Sequence, residues 1–290
     1  MIVLTTWGID PGALAVILVA AVAYGYGILL LRKRSIQWPV LPTLGFYLLG
    51  LGSYAVVAFG FLTVESSELR WAFTTRIALL LFVVPGLISL GKPITLAKQV
   101  LSGMSLRVID AVLSSWPARM LGNAIFGPLL AIAAFTIFLT PLAGTLRGSA
   151  LAEALITVVV PVIGLLMVLP IIENTTQRTS LFITAEFMLA LVELVADAIP
   201  AIFLRLSNSI LDHAPAVVQA MPAWFPSPLR DQQLSGDLLW FIVEVSDVPV
   251  LILLFIRWSK TDRREAQGLD DLSDEEMAAL TREHLRSRHD

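Results

Sequence analysis

Seven stretches of this chain, each about twenty residues long, are predominantly apolar: about 11–31, 41–63, 71–90, 121–143, 152–172, 181–206 and 237–258. An α-helix rises about 1.5 Å per residue, so each stretch matches the roughly 30 Å hydrocarbon core of a bilayer. The runs are too long for strands and lack two-residue alternation. They predict an all-α fold, a polytopic membrane helix bundle of seven transmembrane helices.

Composition agrees. Hydrophobic residues make up 57% and charged residues 15%, with a mean hydropathy of +0.80. A soluble domain carries about 25% charged residues. A net charge of −3 gives no support to nucleic acid as a partner, and none is expected. The lack of cysteine removes disulfides, thiolate metal sites and cysteine nucleophiles. No Lys or Arg precedes the first run, and Arg32, Lys33 and Arg34 follow it, so it reads as a permanent first helix rather than a leader.

Basic residues set the expected orientation. With the N-terminus outside, inner segments hold Arg32, Lys33, Arg34, Lys92, Lys98, Arg107, Arg119, Arg178, Lys260, Arg263 and Arg264. Outer segments hold Arg70, Arg147, Arg205 and Arg230 beside Glu65, Glu68, Asp212 and Asp231. The expectation is N-out/C-in, in a bacterial plasma membrane, with a transmembrane domain over 1–258 and a charged cytoplasmic tail over 259–290.

Two connections exceed simple turns. The basic segment 91–120 reads either as a helix in the inner headgroup layer or as a packed loop. The 207–236 connection, with Trp224, Phe225, Pro215, Pro222, Pro226 and Pro228, reads as a cover over the outer mouth. In the tail, Ser273 and Glu276 have capping-box spacing, although a solvated tail is the better reading of 273–287.

Ionisable residues inside spans cost about 2.5–3.5 kcal/mol each on insertion scales, so they face the bundle interior or water. The intramembrane charge cluster read here is Arg76, Glu186, Glu193, Asp197, Glu244 and Asp247. Helical spacing places Glu186, Glu193 and Asp197 on one face and Glu244 with Asp247 on another. Arg76 is expected to pair with Asp197 or Glu244, because an unpaired buried charge is the costlier state. The same acids also fit an ion or solute path. No nucleophile–base pair, phosphate-cradling loop or metal triad appears, so the chain reads as no enzyme, with no cofactor.

The run DQQLSGDLLWFIVE (231–244), continuing to IRWSKTDRREAQGLD (256–270), and the segment PGLISLGKPITLA (85–97) carry a family likeness. Asp231, Gln232, Gln233, Gly236, Trp240 and Glu244 enter the last span; Trp258, Ser259, Asp262, Arg264, Glu265 and Ala266 leave it. This pattern resembles the CtaG family of bacterial cytochrome c oxidase assembly proteins, in an actinobacterial-like form. The resemblance implies a non-enzymatic accessory factor that helps copper reach an oxidase subunit, with respiratory oxidase subunits and membrane lipid as partners.

Copper(I) prefers thiolate, thioether or imidazole ligands. The positions where the resemblance implies histidines fall near Phe73, Ile77, Thr157, Val159 and Ile202. The chain's histidines are His213, His284 and His289, one in the outer loop and two in the tail. Met167 and Met188 read as core filler. The expectation is a divergent member that lacks the copper site and acts through membrane protein partners; the alternative is a transporter or channel using the acidic face of the sixth and seventh helices.

Overall fold

The computed structural model describes residues 6–121, 126–173, 180–211 and 224–270. Every regular element among them is helical. In chain order these are α1 (Pro11–Lys33), α2 (Val40–Val64), α3 (Arg70–Ser89), α4 (Pro93–Val100), α5 (Gly103–Leu113), α6 (Trp116–Leu121), α7 (Phe126–Thr136), α8 (Leu142–Arg147), α9 (Ala150–Glu173), α10 (Ser180–Leu206) and α11 (Pro228–Asp270).

Six of these helices are long and apolar enough to cross a membrane: α1, α2, α3, α9, α10 and α11. The expected fourth span, 121–143, is described only as the eleven-residue α7 and a short 3₁₀ turn, Ile137–Leu139. The last helix also differs from expectation. It begins at Pro228 rather than near 237 and runs to Asp270 rather than ending near 258. The connection expected over 207–236 is therefore shorter, and the first residues assigned to the tail are helical. The basic segment 91–120 forms α4, α5 and α6 rather than an irregular loop. The 273–287 segment, read as a solvated tail with a short helix as the alternative, lies outside the described residues, as do His213, His284 and His289.

Local chemistry sets the ends of α1. Asp10 accepts the Gly12 and Ala13 N–H groups at 2.7 and 3.1 Å, Pro11 opens the first turn, and Arg32 and Lys33 occupy the last. The turn into α4 uses Lys92 at φ 51°, followed by Pro93 as the first helical residue.

The central helix is α3. Of its most apolar window 67% is buried, against 11% for α1. It contacts α2, α9 and α11, while α10 makes its most extensive pairing with α11. Gly164 lets α9 approach the backbone of α3 closely, since a Cβ there would collide with the Leu81 carbonyl. Both α2 and α3 contain a π-helical turn, Gly45–Leu51 and Leu79–Val83, where the helix carries an extra residue.

The core between these helices contains Phe73, Leu81, Phe135, Phe138, Met167, Leu204, Leu239 and Val243. Met167 is core filler as expected, but Met188 is 52% exposed and belongs to the outer surface of α10. Rows of exposed apolar residues, Val192, Val195, Ile199 and Phe203 on α10 and Phe241, Val245, Val248 and Ile252 on α11, line the outside. An apolar exterior of this extent fits lipid as solvent. The fold is that of a multi-pass membrane protein.

Candidate functional site

One end of the bundle holds most of the described polar contacts. Asp10, the first turn of α3, the N-terminal part of α9 and the start of α11 all lie there. Gly8 is tied to the same end by its N–H, which donates to the Phe59 carbonyl at 2.8 Å.

The first centre is built on Asp231. A helix leaves its first N–H groups without internal partners, and the residue before α3, Leu69, cannot cap them. Asp231 does so from a distant part of the sequence. Its two carboxylate oxygens accept the N–H groups of Arg70 and Trp71, each at 2.8 Å. A carboxylate at a helix N-terminus also complements the helix dipole.

Gln232 continues the clamp. Its Oε1 accepts from Arg70 Nη1 at 2.7 Å and from the Leu211 N–H at 2.9 Å, and its Nε2 donates to the Ser209 carbonyl at 3.0 Å. Arg70 Nη2 donates to the Phe138 carbonyl. One turn further in, Ser235 and Thr74 hydroxyls share a hydrogen bond of 2.7 Å. Arg70, Thr74, Asp231, Gln232 and Ser235 are all buried. These residues join α3, the turn after α7, the residues after α10, and α11.

Gly236 belongs to the same construction. A Cβ there would lie 2.5 Å from the Ala201 carbonyl oxygen and 3.0 Å from the Arg205 nitrogen, so only glycine permits α10 and α11 to approach this closely. Beside it, Arg205 Nε meets Asp237 Oδ1 at 2.9 Å. Gln233 is half-buried, and Trp258 is half-buried near the other end, 5.8 Å ring to ring from Phe255.

The second centre is built on Arg76, 1% exposed. Its Nη1 meets Glu153 Oε1 at 3.3 Å and its Nη2 donates to Thr157 Oγ1 at 2.5 Å. Thr157 Oγ1 in turn donates to the Glu153 carbonyl at 2.9 Å, and the Thr157 carbonyl accepts from the Tyr54 hydroxyl at 3.0 Å. The cluster therefore binds α2, α3 and α9 together.

Arg76 meets Glu153, and of its two expected partners only Glu244 has a described side chain. Glu244 accepts instead from Trp240 Nε1 at 2.7 Å, one turn away on the exposed side of α11. Side chains of Glu186, Glu193 and Asp197, on α10, lie outside the described residues. Asp247 is half-buried on α11, with Oδ2 shielded from solvent and without a hydrogen-bond partner among the described residues. The acidic face expected on α10 and α11 is thus described at Glu244 and Asp247 alone.

Sequence reasoning missed Arg70 and Arg147 as interior groups, and the half-exposed Glu153 as the partner of Arg76. Arg70 and Arg147 are buried although they stand at the ends of apolar runs. A sign was present for Arg70: Leu69, before α3, is no capping residue, whereas Asp231 and Gln232 are polar residues with no evident role in their own stretch of sequence.

The positions near which histidines were expected differ in burial. Phe73 and Thr157 are buried, Ile77 is half-buried, and Val159 and Ile202 are each 43% exposed on the outer surface.

Residues 22–261 match the family model of the cytochrome c oxidase caa3 assembly factor, Caa3_CtaG. Similar curated proteins are the uncharacterized proteins Mb0105 of Mycobacterium bovis and MT0111 of Mycobacterium tuberculosis. Each is 26% identical over 304 residues, covering 99% of this chain and 45% of the relative. The chain spans under half the length of these relatives. No solved structure matches. With a family match across most of its length, the chain belongs to the cytochrome c oxidase caa3 assembly factor family.

Proposed function

We propose that this protein is a non-enzymatic accessory factor of oxidase assembly that acts through membrane protein partners and carries no copper itself. The observation behind this reading is the Arg76 guanidinium bonded to Thr157. A soft cation needs thiolate, thioether or imidazole donors. Phe73, Ile77 and Thr157 offer none of these, and the buried arginine adds a fixed positive charge beside them. The residues described at these positions do not fit copper(I) as cargo.

We read the chain as seven crossings, N-out/C-in, in a bacterial plasma membrane. The direction of the helices supports this count. Arg76, in the N-terminal half of α3, contacts Glu153, near the N-terminus of α9. Both helices therefore start at the same end of the bundle, and the chain between them must return across it. The α7 segment is the apolar stretch placed to do so, and Phe138, just beyond it, reaches Arg70 at that end.

One observation favours a second reading, movement of an ion or solute along α11: the shielded Oδ2 of Asp247, which has no hydrogen-bond partner among the described residues. The test is affinity capture of the tagged chain in mild detergent, with co-purifying membrane proteins identified by mass spectrometry, alongside copper(I) loading. The proposal expects oxidase subunits in the capture and no stoichiometric copper. Near-stoichiometric copper overturns the non-metal part. Capture without partners, together with ion flux in liposomes abolished by Asp247→Asn, favours the second reading.

A further inference from the structure

The short helices between α3 and α7 form a surface that the bundle does not cover. Helix α4 is fixed at the far end of α1. Leu96 and Val100 join a cluster with Tyr24, Leu31 and Phe46, and Arg34 Nη1 donates to the Gln99 carbonyl at 3.0 Å. This places α4 level with Arg32, Lys33 and Arg34, where the apolar length of α1 ends. By its rise, a helix of 23 residues covers about 34 Å, so that level is the headgroup layer.

Helix α5 follows at the same level, turning at Gly103 with φ 60° and approaching α4 through Lys98 and Asp110 at 3.9 Å. Its residues divide by helical position. Leu106, Ile109 and Leu113 are half-covered, whereas Met104, Val108 and Val112 recur every fourth residue and are 74%, 54% and 53% exposed. Trp116, at the start of α6, is 69% exposed. Lys92, Lys98, Arg107 and Arg119 are exposed around this row, with Asp110 the lone acid of the segment, and Arg32–Arg34 stand beside it.

We propose that α4–α6 is an in-plane lipid-binding element, with Met104, Val108, Val112 and Trp116 inserted among acyl chains and the surrounding basic residues engaging anionic phospholipid headgroups. The level of the segment, its one-sided apolar row and its positive rim select a lipid surface as occupant. Only the choice of leaflet rests on the orientation proposed above.

The absence of cysteine makes the test direct, since each introduced cysteine is unique. Met104→Cys, Val108→Cys, Val112→Cys and, as the polar control, Arg107→Cys are spin-labelled in the full chain. They are reconstituted in phosphatidylcholine vesicles with or without phosphatidylglycerol. Collision with oxygen and with a nickel chelate present on both sides reports depth independently of orientation. Labels at 104, 108 and 112 are expected to meet oxygen more than nickel, and the label at 107 the reverse. Phosphatidylglycerol should lower nickel access at 108 further, and Lys98→Gln with Arg119→Gln should remove that response. Free nickel access at 108 overturns insertion. Shielding from both reagents overturns it in favour of a protein cover, and depth indifferent to phosphatidylglycerol overturns the anionic-lipid part.

Discussion

Asp231 and Arg70, 161 residues apart, meet at 2.8 Å where a carboxylate on α11 caps the first turn of α3. The acid therefore replaces a local capping residue and ties the central helix to the last one. An alanine at 231 removes the acceptor of two N–H groups and the charge facing a buried arginine.

The expected loss for Asp231→Ala is about 2–4 kcal/mol, between that of a lost cap and that of a broken buried pair, because Arg70 keeps Gln232 and Phe138. Asp231→Asn keeps an amide oxygen for one N–H and should recover part of it. Thermal unfolding in detergent measures both. Equal stability of the wild type and the alanine variant would remove the clamp from the account of this fold.

Gly236 and Gly86 make a matched pair. At Gly236 a methyl group meets the α10 backbone at 2.5 Å, whereas at Gly86 it meets nothing within 4 Å. Gly236→Ala should destabilise by about 1–3 kcal/mol through overpacking. Gly86→Ala should be neutral or stabilising by up to about 1 kcal/mol, from helix propensity. The contrast between the two melting temperatures carries the result; similar shifts would mean that α10 and α11 are not held at this separation.

Arg205 and Asp237 lie beside Gly236 but differ in exposure, at 44% and 39% of their side chains. An ion pair this open contributes about 0–1 kcal/mol. Arg205→Ala should leave the melting temperature within that range, and raised salt should erase even this difference. A loss as large as that of Asp231→Ala would show that the pair is shielded from solvent in the bilayer.

The apolar runs revealed the helices because crossing length and hydropathy are local properties. Their ends were harder to read. Residues 228–236 of α11 carry Arg230, Asp231 and Gln232, which look like loop chemistry until their partners on α3 are known. The same reason hid the candidate site. A charge at the edge of an apolar run resembles a solvated loop residue, and only the approach of α3 and α11 makes Arg70 interior. Arg76 was recognisable as a buried cation needing an acid. Glu153 was passed over because it stands at the margin of its span, and sequence spacing cannot rank acids on different helices.

Arg76 and Glu153 provide the sharpest test because their exposures are so unequal, 1% and 40%. Removing Arg76 leaves a carboxylate that can turn toward solvent. Removing Glu153 leaves a guanidinium that cannot escape and retains the Thr157 hydroxyl and the more distant charge of Asp10. An uncompensated buried charge is the costlier state. Glu153→Ala should therefore destabilise the protein more than Arg76→Met, although both break the same ion pair, and Glu153→Gln should recover part of the loss by keeping an acceptor for Nη1. The double variant Arg76→Met, Glu153→Ala should be more stable than Glu153→Ala alone, since it also removes the stranded charge. Thermal unfolding of the four variants in one detergent decides the point. Equal losses in the two single-site truncations would mean that Arg76 reaches water or a further acid.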